Sequence, residues 1–559
     1  MNPIRPIAML AGAALLAMSL SASAQTAPQP TRADAEKDPV LKAMLTELDR
    51  SKSDLQLKDF QKPFFIQYRI EDIDDFETRA EFGAVSRSQR SHQRLAHVTL
   101  RVGDYKTDSS GGRGDGVVEL ATLDDDPIAL RSALWWATDE AYKAALAAYA
   151  QKQAELKQVE TPPQADDFSK EKPIVRLEEP LALKVDQDAW AERAAKLSGL
   201  YRTDDSVKAD QRDVQSSKAG LHARATTTWM VNSEGTITRT SASGCEEAFN
   251  VSTQAADGMR LELSHSSIAL TPDQLDAPEA FDKHVVELIA KLGDLRNAPL
   301  VEEEYHGPVL LGSGAGAHII HSLLDDAVTA TRPKLGTEAR TEGPFASSYH
   351  ARVLPDSFDV VDDPGLKSYD GKALLGAYDV DDEGVPAQAV KLVVDGKLEN
   401  YLIGREPVRD FPQSNGHGRA SLGKLPTPSI GVLKVTASDG LTDDELNRKL
   451  LGLAKDRDLK SVYYVNALAG TMTPRLLYRV TPDGTPAGKR ELVRGAELDD
   501  LDLRALRSNV EAAGKDLRVA NYFGDIPETV LAPALLMDDV TLRRANKKND
   551  KLPFYPPPE

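Results

Sequence analysis

Between Gly307 and Asp326 the chain reads GPVLLGSGAGAHIIHSLLDD, and no other stretch restricts the possible folds as much. Pro308 to Leu311 are apolar and strand-like, Gly312, Gly314 and Gly316 punctuate a turn, and Ala317 to Leu324 read as a helix. A strand passing through glycines into an apolar helix predicts a helix packed tightly on its own sheet. The glycine run lacks the Lys-Ser/Thr pair of a nucleotide phosphate loop, and Ala317 breaks the GxGxxG spacing, so it speaks for close packing rather than nucleotide binding.

The rest of the chain divides around this unit. Gln25 to Lys37 is rich in Pro, Thr and Ala and reads as a flexible leader. Leu41, Met44, Leu45 and Leu48 predict a helix over 38–55, and FIQYRI and LAHVTLRV alternate as strands within 64–107. A long helix is expected over 127–158, an exposed linker near 159–182, and a second helix over 186–200. Paired strands follow around the turn at Asn232-Ser233-Glu234-Gly235, then a helix over 278–295. Strands and turns dominate thereafter, with a hairpin at Asp395-Gly396 and a helix over 443–455. The fold class expected is α+β: an N-terminal antiparallel sheet with long helices over 25–300, then a β-rich domain over 301–545 and a Pro-rich tail at 546–559.

The 559 residues suffice for two to four domains. Arg5, the apolar run Ile7 to Leu20 and the small-residue site Ala22-Ser23-Ala24 read as a cleavable signal peptide over 1–24. That run is shorter than the roughly 20 residues a bilayer span needs, so no membrane span and a periplasmic or secreted product are expected. The net charge of −19, one unit more negative once Arg5 is removed, argues against a nucleic-acid partner. Cys245 is the single cysteine, which excludes an intrachain disulfide.

Chemistry on the 317–324 helix centres on His321. On a helix, His318 and His321 lie three apart, and His321 and Asp325 four apart, so all three can share a face. Such a His/Asp set is the residual metal candidate. Ser322 is adjacent to His321, but neighbouring helix residues point about 100° apart, which rules out a serine–histidine pair.

Five blocks then resemble the TldD/PmbA (TldD/TldE) family of metalloproteases, in that family's order. They are GPVLLGSGAGAHIIH, LPDSFDVVDDPGL, YDVDDEGVPAQAVKLVVDGKLENYLI, SNGHGRA (Ser414 to Ala420) and VLAPALLMDDVTLRR. The resemblance implies a zinc helix carrying HExxxH, with a cysteine in the C-terminal domain as a further ligand. Here His321 matches the first His, Ser322 replaces the Glu, Asp326 replaces the second His, and no cysteine follows Cys245. The chain thus looks like the TldE-type member. That implies no catalytic residue, no zinc cofactor, and a role as partner of a TldD-like subunit, or as a homodimer, handling extended peptides. The alternative is an active metallopeptidase with an atypical His/Asp site. Within SNGHGRA, Asn415, His417 and Arg419 are the expected substrate-binding residues, because a polar loop between strands suits a carboxylate or backbone carbonyl.

Overall fold

The computed structural model describes residues 29–111, 116–161, 163–470 and 472–545. The expected signal peptide and Pro-rich tail lie outside the described residues. The first helix, α1 (Arg32–Ala35), falls where the sequence reads as flexible leader. Thr31 and Asp34 cap it reciprocally, and Ala35 is buried. Helix α2 (Pro39–Asp54) starts where the Asp38 carboxylate accepts hydrogen bonds from the Val40 and Leu41 N–H groups.

A long antiparallel ribbon follows, β1 (Phe65–Glu81) and β2 (Ala84–Arg101), with β3 (Val117–Ala121) covering only Arg94 to Val98 of β2. Then come α3 (Pro127–Leu156), β4 (Val175–Leu177), α4 (Gln187–Thr203), β5 (Ser216–Asn232), β6 (Ile237–Gln254), β7 (Arg260–Ala269) and α5 (Pro278–Asn297). The strands form one sheet in the order β3-β2-β1-β5-β6-β4, with β7 also on β6. On one face Tyr68, Ile70, Val98 and Trp229 pack beneath α2 and α3, and Phe249, Val251 and Leu263 pack beneath α5. Trp135 and Trp136 on α3 both remain about half exposed.

The stretch expected as a linker is built into the molecule instead. Val175 to Leu177 pair in parallel with Ile237 to Arg239 on β6. Phe168 is buried, its ring 4.0 Å from the Arg405 guanidinium.

The second half opens with β8 (Tyr305–Leu311) and α6 (Ser313–Leu324). It continues through β9 (Phe358–Asp362), the small ribbon β10 (Ser368–Tyr369) and β11 (Lys372–Ala373), the hairpin β12 (Val390–Val394) and β13 (Lys397–Leu398), and β14 (Gly418–Arg419) with β15 (Thr427–Pro428). Next are β16 (Val432–Ala437), α7 (Asp443–Asp456), β17 (Val462–Ala469), β18 (Thr473–Thr481), β19 (Lys489–Val493) and β20 (Ala496–Asp499). The last elements are α8 (Leu503–Ser508), β21 (Val510–Ala513), β22 (Arg518–Tyr522), β23 (Glu528–Ala532) and β24 (Leu535–Arg544). Asp395 at φ 46° and Gly396 at φ 73° give the β12–β13 hairpin its left-handed turn pair. Two sheets result, β13-β12-β9-β16-β23-β22 and β19-β18-β17-β8-β24-β20, with β21 on β24.

The largest apolar core lies with these sheets and includes Ala315, Ile319, Ile320 and Leu324 of α6. The helix starts earlier than expected, at Ser313, so the glycine run forms its first turn rather than a loop before it. A Cβ on Gly316 would lie 2.3 Å from the Pro533 carbonyl oxygen, and one on Gly312 would meet the Tyr464 hydroxyl at 2.5 Å. The glycines therefore let α6 sit against the backbone between β23 and β24. The overall architecture is the expected α+β arrangement of an antiparallel N-terminal sheet with helices and a β-rich C-terminal half.

Candidate functional site

Helix α6 delivers its chemistry at its C-terminal end. The apolar residues at 315, 319, 320 and 324 face the core and fix the helix rotation, which leaves His321 half-buried at the rim. Its Nε2 lies 2.8 Å from a Glu528 carboxylate oxygen, with side-chain exposures of 21% and 14%. The Tyr522 ring stacks on the imidazole, centroids 3.8 Å apart and 11° from parallel. Tyr522 ends β22 and Glu528 begins β23, so the turn between these strands supplies both partners.

Asp325 completes the group. One ligand-type atom each from His321, Asp325 and Glu528 lies within 4.8 Å of the other two. Burial, followed by the nearby Glu528 charge, pushes the Asp325 carboxyl up to about 6. Because α6 ends at Leu324 and Asp325 caps it, Asp325 rather than Asp326 turns toward His321. Asp326 and Ser322 are exposed.

His318 is not part of this group. Its Nε2 lies 3.0 Å from the Gly470 carbonyl oxygen, and burial holds its imidazole below the usual range. Of the candidates named from sequence, then, His321 and Asp325 come together while His318 points elsewhere. Glu528 escaped the sequence reading. It lies 207 residues from His321, and its only local signal is a carboxylate opening an otherwise apolar strand, ETVLA. The zinc set implied by resemblance does not fit here. The position of its second His is the outward-facing Asp326, and Cys245 lies buried in the N-terminal sheet with its thiol on the Ala269 carbonyl. Burial pushes that thiol up to about 12, consistent with a packing role.

The SNGHGRA segment is structural over most of its length. His417 is fully buried, Nδ1 beside the Asn415 oxygens and Nε2 3.1 Å from Asp362 Oδ1. Asn415 accepts from the Ile403 N–H and donates to the Tyr401 carbonyl. In this arrangement Asp362 and the loop backbone share hydrogen bonds with both side chains. Arg419 differs. Its guanidinium lies over the Tyr378 ring at 4.1 Å, pairs with Asp382 and lines a cavity of about 80 Å³ with Glu71, Arg224, Phe523 and Asp525. This cavity sits on the face of the N-terminal sheet opposite the helices. A larger one of about 460 Å³ follows along that face, lined by Glu77, Arg79, Lys218, His222, Glu246 and Asn250. The acidic run at 381–383 is largely withdrawn from solvent. Asp381 is buried and accepts hydrogen bonds from the backbone N–H groups of Glu383, Val385 and Gly418.

Comparison with known proteins follows the same lines. Residues 304–544 match the PmbA/TldA metallopeptidase C-terminal domain. Over 142 residues, a quarter of this chain, the sequence is 26% identical to a metalloprotease TldD homolog of Buchnera aphidicola and 25% identical to a metalloprotease of Archaeoglobus fulgidus. The match spans only 27% and 31% of those two proteins. The fold is shared over far more. TldE from Thermococcus kodakarensis superposes with a TM-score of 0.57 at 15% identity, covering 89% of this chain and 99% of that one. A Thermotoga maritima protein described as a candidate modulator of a DNA gyrase gives 0.60 at 13% identity, covering 90% and 99%. Residues 304–544 thus form a domain of the PmbA/TldA metallopeptidase C-terminal family.

Proposed function

We propose that this protein is an exported member of its family that binds extended peptides without hydrolysing them, as partner of a homologous TldD-like subunit or as a homodimer. One observation carries the hydrolytic part of this reading. The residue beside His321 is Ser322, exposed and without a carboxylate, so the helix offers no general base next to its imidazole. Peptide binding draws support from the N-terminal sheet. Residues 84–93 of β2 are all exposed and, among the described residues, no strand pairs with their outer edge. A free edge beside a polar, cavity-bearing face can hold a peptide backbone by strand addition. Export rests on Arg5, the apolar run and the Ala22-Ser23-Ala24 cleavage site.

The test uses the mature chain with unfolded casein. Binding without fragments, with and without added zinc, is the expected outcome, and chelator-sensitive cleavage by the isolated chain overturns the reading. A second reading, an active metallopeptidase with an atypical site, is favoured by the proximity of His321, Asp325 and Glu528. It requires casein cleavage that disappears in Glu528→Gln. Co-purification from the native host separates a heteromeric pair from a self-associated species.

A further inference from the structure

The end of α6 gathers carboxylates whose one basic partner, among the described residues, is His321. Asp325 and Asp326 stand at the helix C-terminus, where the backbone carbonyls already present the negative pole of the helix dipole. Glu528 adds a second half-buried carboxylate to the group. Among the described residues, no lysine or arginine forms an ion pair with Asp325 or Glu528, and His321 is the one basic side chain in the group. Elsewhere in the molecule, half-buried carboxylates such as Asp72, Asp75 and Asp282 pair with arginines. Two half-buried carboxylates that share a single imidazole are costly to ionise together, and a bound cation lowers that cost.

The donors also converge in the manner of a metal site. One imidazole nitrogen and two carboxylate groups come from a helix end and a strand start, and the Tyr522 stack holds the imidazole plane in place. From these features we infer that His321, Asp325 and Glu528 bind a divalent transition cation through one nitrogen and two carboxylate ligands. This donor set differs from the zinc set that the family resemblance implies. Asp325 and Glu528 occupy neither the Glu nor the second-His position of that motif, and no thiolate takes part. A mixed nitrogen and oxygen set suits zinc or manganese. The bound ion ties the end of α6 to the β22–β23 turn.

The inference is separate from peptide binding, which is read without added metal as well as with it, so the two can fail independently. The experiment dialyses the chelator-stripped mature chain against micromolar Zn²⁺ or Mn²⁺. Retained metal is counted by elemental analysis, bound Mn²⁺ is followed by paramagnetic resonance, and unfolding is scanned with and without metal. One ion per chain and a raised unfolding temperature are expected. Asp325→Asn and Glu528→Gln should each weaken binding at least tenfold while keeping a native circular dichroism spectrum, and His318→Ala should leave binding unchanged. Absence of retained metal overturns the inference, as does equal retention by both carboxamide variants. If either carboxamide variant fails to fold, Tyr522→Leu serves instead. Its paramagnetic spectrum should change, and an unchanged spectrum counts against the site.

Discussion

Nε2 of His417 lies 3.1 Å from Oδ1 of Asp362, and both side chains are completely buried. Asp362 also accepts from the backbone N–H groups of Gly431 and Val432, so the pair joins β9, the 414–420 loop and the start of β16. His417→Ala leaves a buried carboxylate short of a partner. The expected loss is roughly 3 kcal/mol of stability in urea unfolding. Casein binding by the folded fraction should be unaltered. Weakened binding with unchanged stability would return His417 to the ligand-contacting role that its loop position suggests.

Gly316 is the close-contact point of α6. A methyl there would press on the Pro533 carbonyl at 2.3 Å, and the obstacle is backbone rather than a mobile side chain. Gly316→Ala should cost on the order of 2–3 kcal/mol, although alanine favours a helix. Gly452→Ala, with nothing near its Cβ, is the control and should be neutral or stabilising. Equal stability of the two variants would refute the close-packing account.

Glu383 links pH to stability. Burial first, with the Glu406 charge adding and the Arg405 charge opposing, raises its carboxyl from 4.5 to about 7. A group whose folded value is raised favours the folded state fully below its unfolded value. That contribution is lost as pH rises through the folded value. Stability should therefore decline between about pH 5 and pH 8, by roughly 3 kcal/mol from this group. Glu383→Gln should flatten the profile in denaturant titrations across that range. An identical slope in the variant would mean that other groups control the dependence.

Arg405 joins the two halves. It is 1% exposed, its guanidinium bonds the Ser169 carbonyl and pairs with Glu234 at 2.8 Å, and it lies over the Phe168 ring. Arg405→Ala strands Glu234 without its cation and should cost roughly 3–5 kcal/mol. Calorimetry should show one transition for the native chain and two for the variant. A single transition at the native temperature would contradict this assignment.

The elements written in local patterns were legible in the sequence. Helices α3, α5 and α7 follow their apolar spacing to within about two residues, and the β12–β13 hairpin follows from Asp395-Gly396. His321 was legible because it sits on a short helix next to a glycine run. Glu528 was not, since a contact across 207 residues leaves no local trace. The choice between Asp325 and Asp326 depended on where α6 stops, and helix ends follow tertiary contacts as much as composition. His417 read as a substrate-binding residue of a polar loop because nothing nearby reveals that Asp362 pairs with it in the interior.

The Arg405 clamp also bears on the order of synthesis. A polypeptide emerging amino-terminus first presents Phe65, Phe168 and Glu234 long before residue 405 arrives to cover them. Until then the newborn N-terminal half carries an unfinished aromatic and acidic socket. Its maturation closes only when the later portion of the chain docks.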